Sequence, residues 1–386
     1  MYDKLILPNK KEHNMLKKIE ITNFKNFNEK FTFDLSDTNN FEFNKECIQN
    51  GIVNTGLIYG HNGCGKSNLG LAIFDLVSHL TDKNFAHKKY NNYLNANNSD
   101  KQATFNFTFK LNENIVEYKY AKIDYETLVS EQVTINGKLY ASIDKDKSSI
   151  FTTSAKGAEN LKKDIQDSNI SIISYISKNT ILEDNIENNA FKDFIEFVNN
   201  MLLYKDIDDN FYIGFKQGEA RLSNYANYIV NQNHLKDFES FLNKAEIKCK
   251  LISKKVDGEH QLFFNFEKKD IEFFSIASSG TRALAMFYVW QKVMENKNCK
   301  FVFIDEFDAY YHHDLSEIIV EKLKAMTNTQ VILTTHNTSN ISNDLLRPDC
   351  YFIMDNEKIS SLKNRTQKEL RIGHNIEKMY RAGSFE

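Results

Sequence analysis

The sequence predicts an α/β protein. A mixed sheet core carries a glycine-rich phosphate loop, antiparallel strands precede it and a helical insert interrupts it. Three observations lead there. Gly60-His61-Asn62-Gly63-Cys64-Gly65-Lys66-Ser67 reads G-x-x-x-x-G-K-S and stands between a short apolar run, Gly56-Leu57-Ile58-Tyr59, and a segment with helical apolar spacing. Phe301-Val302-Phe303-Ile304 and Val331-Ile332-Leu333 are continuous apolar runs separated by a helical pattern, as buried parallel strands should be. Near the start, Lys17-Lys18-Ile19-Glu20-Ile21-Thr22-Asn23-Phe24 and Phe31-Thr32-Phe33 alternate, which predicts an antiparallel pair.

A chain of 386 residues, 41% hydrophobic with 30 Phe and 18 Tyr, can bury a sizeable core as one large or two interleaved domains. It has no apolar run long enough to cross a bilayer and no charged-then-apolar leader, so no membrane association is expected. Cys47, Cys64, Cys249, Cys299 and Cys350 are odd in number and form no C-x-x-C pair. That pattern indicates reduced thiols in a cytoplasmic protein rather than a disulfide frame or zinc site. A net charge of −3 gives no global pull toward nucleic acid.

Four segments follow in order. Residues 1–14 read as a lead-in. Residues 15–150 form an N-terminal lobe with the phosphate loop and its helix. The same lobe carries alternating strands at 104–109 and 116–120, and a hairpin turning at Asn136-Gly137, the preferred type I′ pair. Residues 151–245 read as a helical insert, a lid without a heptad seam. Residues 246–386 form a C-terminal lobe. It begins with a hairpin, 247–252 and 261–266 about Asp257-Gly258, expected to re-enter the core sheet. A helix after Ser278-Ser279-Gly280 and the two apolar strands follow.

The loop's glycines let successive N–H groups point inward, and the helix that follows adds its positive end, so the stretch predicts phosphate binding and hence a nucleotide. In that arrangement Lys66 meets the β- and γ-phosphates and the Ser67 hydroxyl ligates Mg²⁺. The apolar strand ending in Asp305-Glu306 places two adjacent carboxylates at a strand end, costly unless a cation or a function compensates. Asp305 is expected to hold Mg²⁺ through its water shell, Glu306 to polarise the attacking water, and His336 to contact the γ-phosphate. Lysine pairs such as Lys88-Lys89, Lys162-Lys163 and Lys268-Lys269 are scattered and read as solvated surface. His312-His313-Asp314 has no partner at metal-ligand spacing.

Gly60 to Ser67, Ser278-Ser279-Gly280, Asp305-Glu306 and His336 stand in the order of the ABC-type ATPases, which the chain resembles over residues 15–355. Leu16 to Phe24 resembles the opening of the RecF/SMC/OLD branch, Ser278-Ser279-Gly280-Thr281-Arg282 its signature motif, and Ala309-Tyr310-Tyr311-His312 falls where its D-loop lies. The resemblance implies that two heads dimerise head-to-tail around two ATP molecules, with Ser278, Ser279 and Gly280 of one head contacting the ATP held by the other. It also implies a glutamine-loop residue, which the sequence leaves unplaced; Gln132 is one candidate. Asn375 to Gly383 resembles the tail of stand-alone ATPases of bacterial phage-defence operons, of the abortive-infection, PARIS and Septu kind. Those pair with a separate nuclease or other effector of Toprim or HNH type. An ATP- and Mg²⁺-dependent ATPase with its effector in trans is the expectation. A RecF-like DNA-repair ATPase that binds nucleic acid directly is the alternative, and a module locked by ATP with little turnover is a third reading.

Overall fold

The computed structural model describes residues 14–81, 83, 87–166, 168–205, 211–214, 222–296 and 298–385. The expected lead-in therefore lies, but for Asn14, outside the described residues. The N-terminal part runs β1 (Met15–Thr22), β2 (Phe31–Asp34), β3 (Thr55–Tyr59) and α1 (Lys66–Leu80). It continues through β4 (Ala103–Leu111), β5 (Asn114–Lys122), β6 (Leu128–Ile135), β7 (Lys138–Asp144) and β8 (Thr152–Thr153). Next come α2 (Ile172–Asn179), α3 (Ile186–Asn199), β9 (Met201–Lys205), β10 (Phe211–Ile213), α4 (Leu222–Asn231) and α5 (Leu235–Lys244). The last part holds β11 (Leu251–Val256), β12 (Glu259–Asn265), β13 (Asp270–Glu272), α6 (Ser279–Asn296), β14 (Phe301–Asp305) and α7 (His313–Lys324). β15 (Gln330–Thr335), β16 (Tyr351–Met354), β17 (Ile359–Ser361) and α8 (Ile376–Arg381) close it.

Two seven-stranded sheets organise these elements. The first is antiparallel, ordered β8-β7-β6-β5-β4-β1-β2. Its strands alternate buried and accessible positions, as their sequences do, and the inner face is aromatic: Phe105, Phe107, Phe109, Tyr118 and Tyr120 are all buried. At the β6–β7 hairpin Asn136 and Gly137 have φ of 49° and 78°, the left-handed pair a type I′ turn requires. The second sheet is ordered β10-β9-β14-β15-β3-β16-β17. β9, β14, β15, β3 and β16 are parallel neighbours, with β10 and β17 antiparallel at the edges. β14 and β15 are buried throughout, which accounts for their unbroken apolar sequences.

α1 packs on the parallel sheet and against α3, which in turn lies on the antiparallel sheet. It is buried almost all round, so its sequence is apolar on every face. Gly70 sets its approach: a Cβ there would come within 2.8 Å of the Phe303 ring and 3.1 Å of Leu203. On α1's other side the fully buried Asp75 carboxylate pairs with Lys122 Nζ of β5 at 3.1 Å and accepts from the Tyr120 hydroxyl at 2.9 Å. Burial pulls the Lys122 ammonium below its ordinary pKa, and Asp75 opposes that.

Two expectations are revised. The hairpin of residues 247–266 does not re-enter the core sheet; β11, β12 and β13 form a separate three-stranded sheet beside α4 and α5. With Lys254, Lys255 and Glu259 exposed, that hairpin cannot occupy a sheet covered on both faces. The strand that does join the core comes from inside the stretch expected to be a helical insert. β9 pairs parallel with β14, from Met201↔Phe301 to Lys205↔Asp305. Met201-Leu202-Leu203-Tyr204 is a short continuous apolar run, too short to be told from the end of a buried helix by periodicity. The tail ends in α8, capped by the Asn375 side chain on Lys378 N, and Tyr380 meets Tyr59 edge-on at 5.1 Å.

Candidate functional site

β3 runs out at Tyr59 into the glycine loop, and α1 starts at Lys66. Gly63 and Gly65 have φ of 79° and 101°, which bends the loop around its own N–H groups. At Gly60 the constraint is space: a Cβ would lie 2.6 Å from both Cys64 Sγ and Met354 O. The loop borders a cleft of about 340 Å³ lined by Asn62, Gly63, Gly65, Lys66, Ser67, Asn68, Glu306 and His336.

Two adjacent strands of the parallel sheet, β14 and β15, bring side chains to this cleft. From β14, Asp305 accepts from the Ser67 hydroxyl at 2.6 Å with one carboxylate oxygen and from Thr334 Oγ1 at 2.7 Å with the other. The Thr334 hydroxyl in turn accepts from Glu306 N at 2.8 Å. Glu306 follows in the left-handed region, φ 53°, a conformation costly for a side chain this large and one that clusters at functional sites. Beyond β15, His336 Nδ1 lies 3.2 Å from Lys66 Nζ, and Nε2 lies 3.5 Å from Glu306 Oε1. Nδ1 also lies 3.1 Å from Gly60 O, so it faces both the Lys66 ammonium, a donor, and a carbonyl, an acceptor. Lys66 Nζ also donates to Gly60 O at 2.7 Å and His61 O at 3.1 Å, and burial lowers its pKa.

Two neighbours of the cleft are invisible in the motif pattern. Asn26, between β1 and β2, packs on the loop so closely that a Cβ at Gly65 would meet its amide at 2.3 Å. Its Oδ1 accepts from Asn68 Nδ2 at 2.7 Å, while its buried Nδ2 has no partner among the described residues. Lys205, at the end of β9, lies 3.0 Å from Asp305 Oδ2, 3.3 Å from Glu306 Oε1 and 3.4 Å from Ser67 Oγ. Burial works against its charge, but the two carboxylates outweigh that and raise its pKa. Gln132 belongs to β6 and lines a groove on the antiparallel sheet with Glu20, Asn106 and Lys119, away from this cleft.

Ser278, Ser279 and Gly280 stand apart from the phosphate loop, at the exposed start of α6. The Ser278 hydroxyl accepts from Thr281 N at 3.2 Å, a helix cap. Gly280 abuts the segment after β14, where a Cβ would come 2.9 Å from Tyr310 O. Asp308 of that segment is held by Thr335 Oγ1 and Asn340 Nδ2, both at 2.7 Å, and burial raises its pKa.

The donors fit a polyphosphate: loop N–H groups and the Lys66 ammonium converge on one cleft, and the orphaned Asn26 amide packs against the loop at Gly65. The Ser67 hydroxyl beside Asp305 is the oxygen pair a hard cation takes. Parallel sheet, loop and carboxylate pair define an α/β P-loop ATPase head of the ABC type. A family model described as "AAA domain, putative AbiEii toxin, Type IV TA system" matches residues 57–342, well over half of the chain, and the chain belongs to that family.

Among solved structures, a similar one is an SmcHead bound to the C-winged helix domain of ScpA: 14% identity, TM-score 0.45, covering 90% of this chain and 97% of that one. The SMC head domain from Thermotoga maritima gives 16%, 0.42, 90% and 98%. An Smc head with an extended coiled coil, bound to a ScpA C-terminal domain derived from Pyrococcus furiosus, gives 14%, 0.44, 91% and 98%. A comparison with curated proteins finds no match.

Proposed function

We propose that the protein binds and hydrolyses ATP, that two copies close head-to-tail around two ATP molecules, and that this cycle drives a bacterial anti-phage system whose effector is a separate protein. The observation that carries the ATPase reading is the convergence of Ser67, Asp305, Glu306 and His336 on the phosphate-loop cleft. The loop from Gly60 to Ser67, with Asn26 beside it, cradles the phosphates. Lys66 exchanges its contacts with Gly60 O and His61 O for phosphate oxygens. Ser67 and Asp305 would hold Mg²⁺, which would neutralise charge on the phosphates of the bound nucleotide. Glu306 orients the attacking water and takes up its proton, and the left-handed backbone points its carboxylate into the cleft. His336 sets its Nε2 3.5 Å from Glu306 Oε1 and faces the γ-phosphate. Ser278, Ser279 and Gly280 complete the partner's site, since they lie outside the cleft of their own chain.

The defence role is supported by the family's description, which reads "putative AbiEii toxin, Type IV TA system". The effector docks on the insert of residues 151–245 or on the tail after Lys358. The free state of all five cysteines agrees with a cytoplasmic protein, and none of the described helices is long and apolar enough to cross a membrane. The test is twofold. The purified chain hydrolyses ATP only with Mg²⁺, loses nucleotide binding in Lys66→Ala, and cuts neither DNA nor RNA alone. Expressed with its gene neighbours, it lowers phage plating efficiency, and K66A abolishes that. Full protection by K66A would overturn the defence role of the ATPase; nuclease activity of the chain alone would overturn the separate effector.

A further inference from the structure

The side chain of Lys205 is not accounted for by any motif of the sequence. Its strand is the neighbour of β14, and the register sets Lys205 directly opposite Asp305. The ammonium then sits among three oxygens: Asp305 Oδ2 at 3.0 Å, Glu306 Oε1 at 3.3 Å and Ser67 Oγ at 3.4 Å. Two of these, Ser67 Oγ and Asp305 Oδ2, form the pair assigned above to the metal. They are already 2.6 Å from each other, so the ammonium and the oxygens make one compact cluster. A divalent cation held at these oxygens, directly or through its water shell, repels an ammonium that lies 3.0 Å from the same Asp305 oxygen. Asp305 is 4% exposed, so an uncompensated charge there is costly, and some cation has to stay beside it.

We propose that Lys205 is a tethered cation that occupies the metal position of the nucleotide-free head and is displaced when a divalent metal enters with nucleotide. The inference rests on the metal-site reading of Ser67 and Asp305. Lys205 neutralises Asp305 and Glu306 in the resting chain, and its ejection couples metal entry to a movement of the end of β9, the strand that continues from α3. Lys205 is thus a positioning residue that sets how readily the site accepts its metal.

The experiment measures Mn²⁺ binding to the full chain by electron paramagnetic resonance, with ADP present. Lys205→Met should bind Mn²⁺ about tenfold more tightly or better, because a competing unit charge has gone. Lys205→Arg keeps a tethered cation and should stay within a few-fold of wild type. Equal Mn²⁺ affinity in wild type and K205M, or weaker binding in K205M, would overturn the role of Lys205. No nucleotide-dependent Mn²⁺ binding by wild type would overturn the metal-site reading instead. A second measurement needs no variant: amine acylation of the wild-type chain, read by mass spectrometry, should rise at Lys205 when Mg²⁺ and ADP are added. Acylation that falls or stays level there would contradict displacement.

Discussion

The Ser67 hydroxyl donates to the Asp305 carboxylate across 2.6 Å, joining the first turn of α1 to the end of β14. The two residues come from distant parts of the chain, yet the parallel sheet sets them side by side, because β3 and β14 both flank β15. In Asp305→Asn the hydroxyl still has a partner, but a charge is lost where the metal is proposed. Its affinity for ADP with Mg²⁺ should fall about 10–100-fold, the range for damage to a metal site. In EDTA it should match wild type. Calorimetric titration under both conditions checks this, and an equal loss with and without metal would assign Asp305 to folding instead.

Glu306→Gln removes the carboxylate that faces His336 Nε2 while keeping the side chain's shape. Single-turnover hydrolysis should slow by about 10²–10⁴-fold, the usual worth of one positioned acid–base group. Nucleotide affinity should hold. Hydrolysis at the wild-type rate would remove Glu306 from that role.

The phosphate loop, the Asp305-Glu306 pair and the strands around them were legible because each is written in adjacent residues. Fixed glycine spacing and unbroken apolar runs signal loop and buried strand whatever the tertiary context. Lys205 and Asn26 were not legible, since nothing local marks them; each reaches the cleft through long-range pairing or packing. β9 was hidden for the same reason, a four-residue apolar run directly after a helical pattern. The hairpin at 247–266 is legible as strands but not as a separate sheet, because alternation reveals a strand and not its neighbour.

Ser278 is exposed at the start of α6 and lines no part of its own phosphate cleft. Ser278→Arg should bind ATP as wild type does but remain monomeric, seen by light scattering with ATP and Mg²⁺. Mixing it with Lys66→Ala chains should restore at most one composite site per dimer. Normal hydrolysis by monomeric S278R would rule out a head-to-tail site.

The buried Asp75–Lys122 pair ties α1 to the antiparallel sheet, and both side chains are fully buried. Lys122→Ala leaves the Asp75 carboxylate without its cation and should cost about 3–5 kcal/mol. The paired change Asp75→Leu with Lys122→Met should cost less than K122A alone, since it leaves no buried charge. Urea denaturation of the three proteins measures this. A double variant less stable than K122A would show that the pair is worth more than its desolvation.

In the proposed cycle ATP is both bound by one head and closed over by a second. Sedimentation of Glu306→Gln with ATP and Mg²⁺, with the nucleotide content of each species counted, tests it most directly. The expected result is a dimer carrying two unhydrolysed ATP molecules that reverts to monomer when Mg²⁺ is chelated. A monomer that holds its ATP, or a dimer that forms without nucleotide, would contradict it.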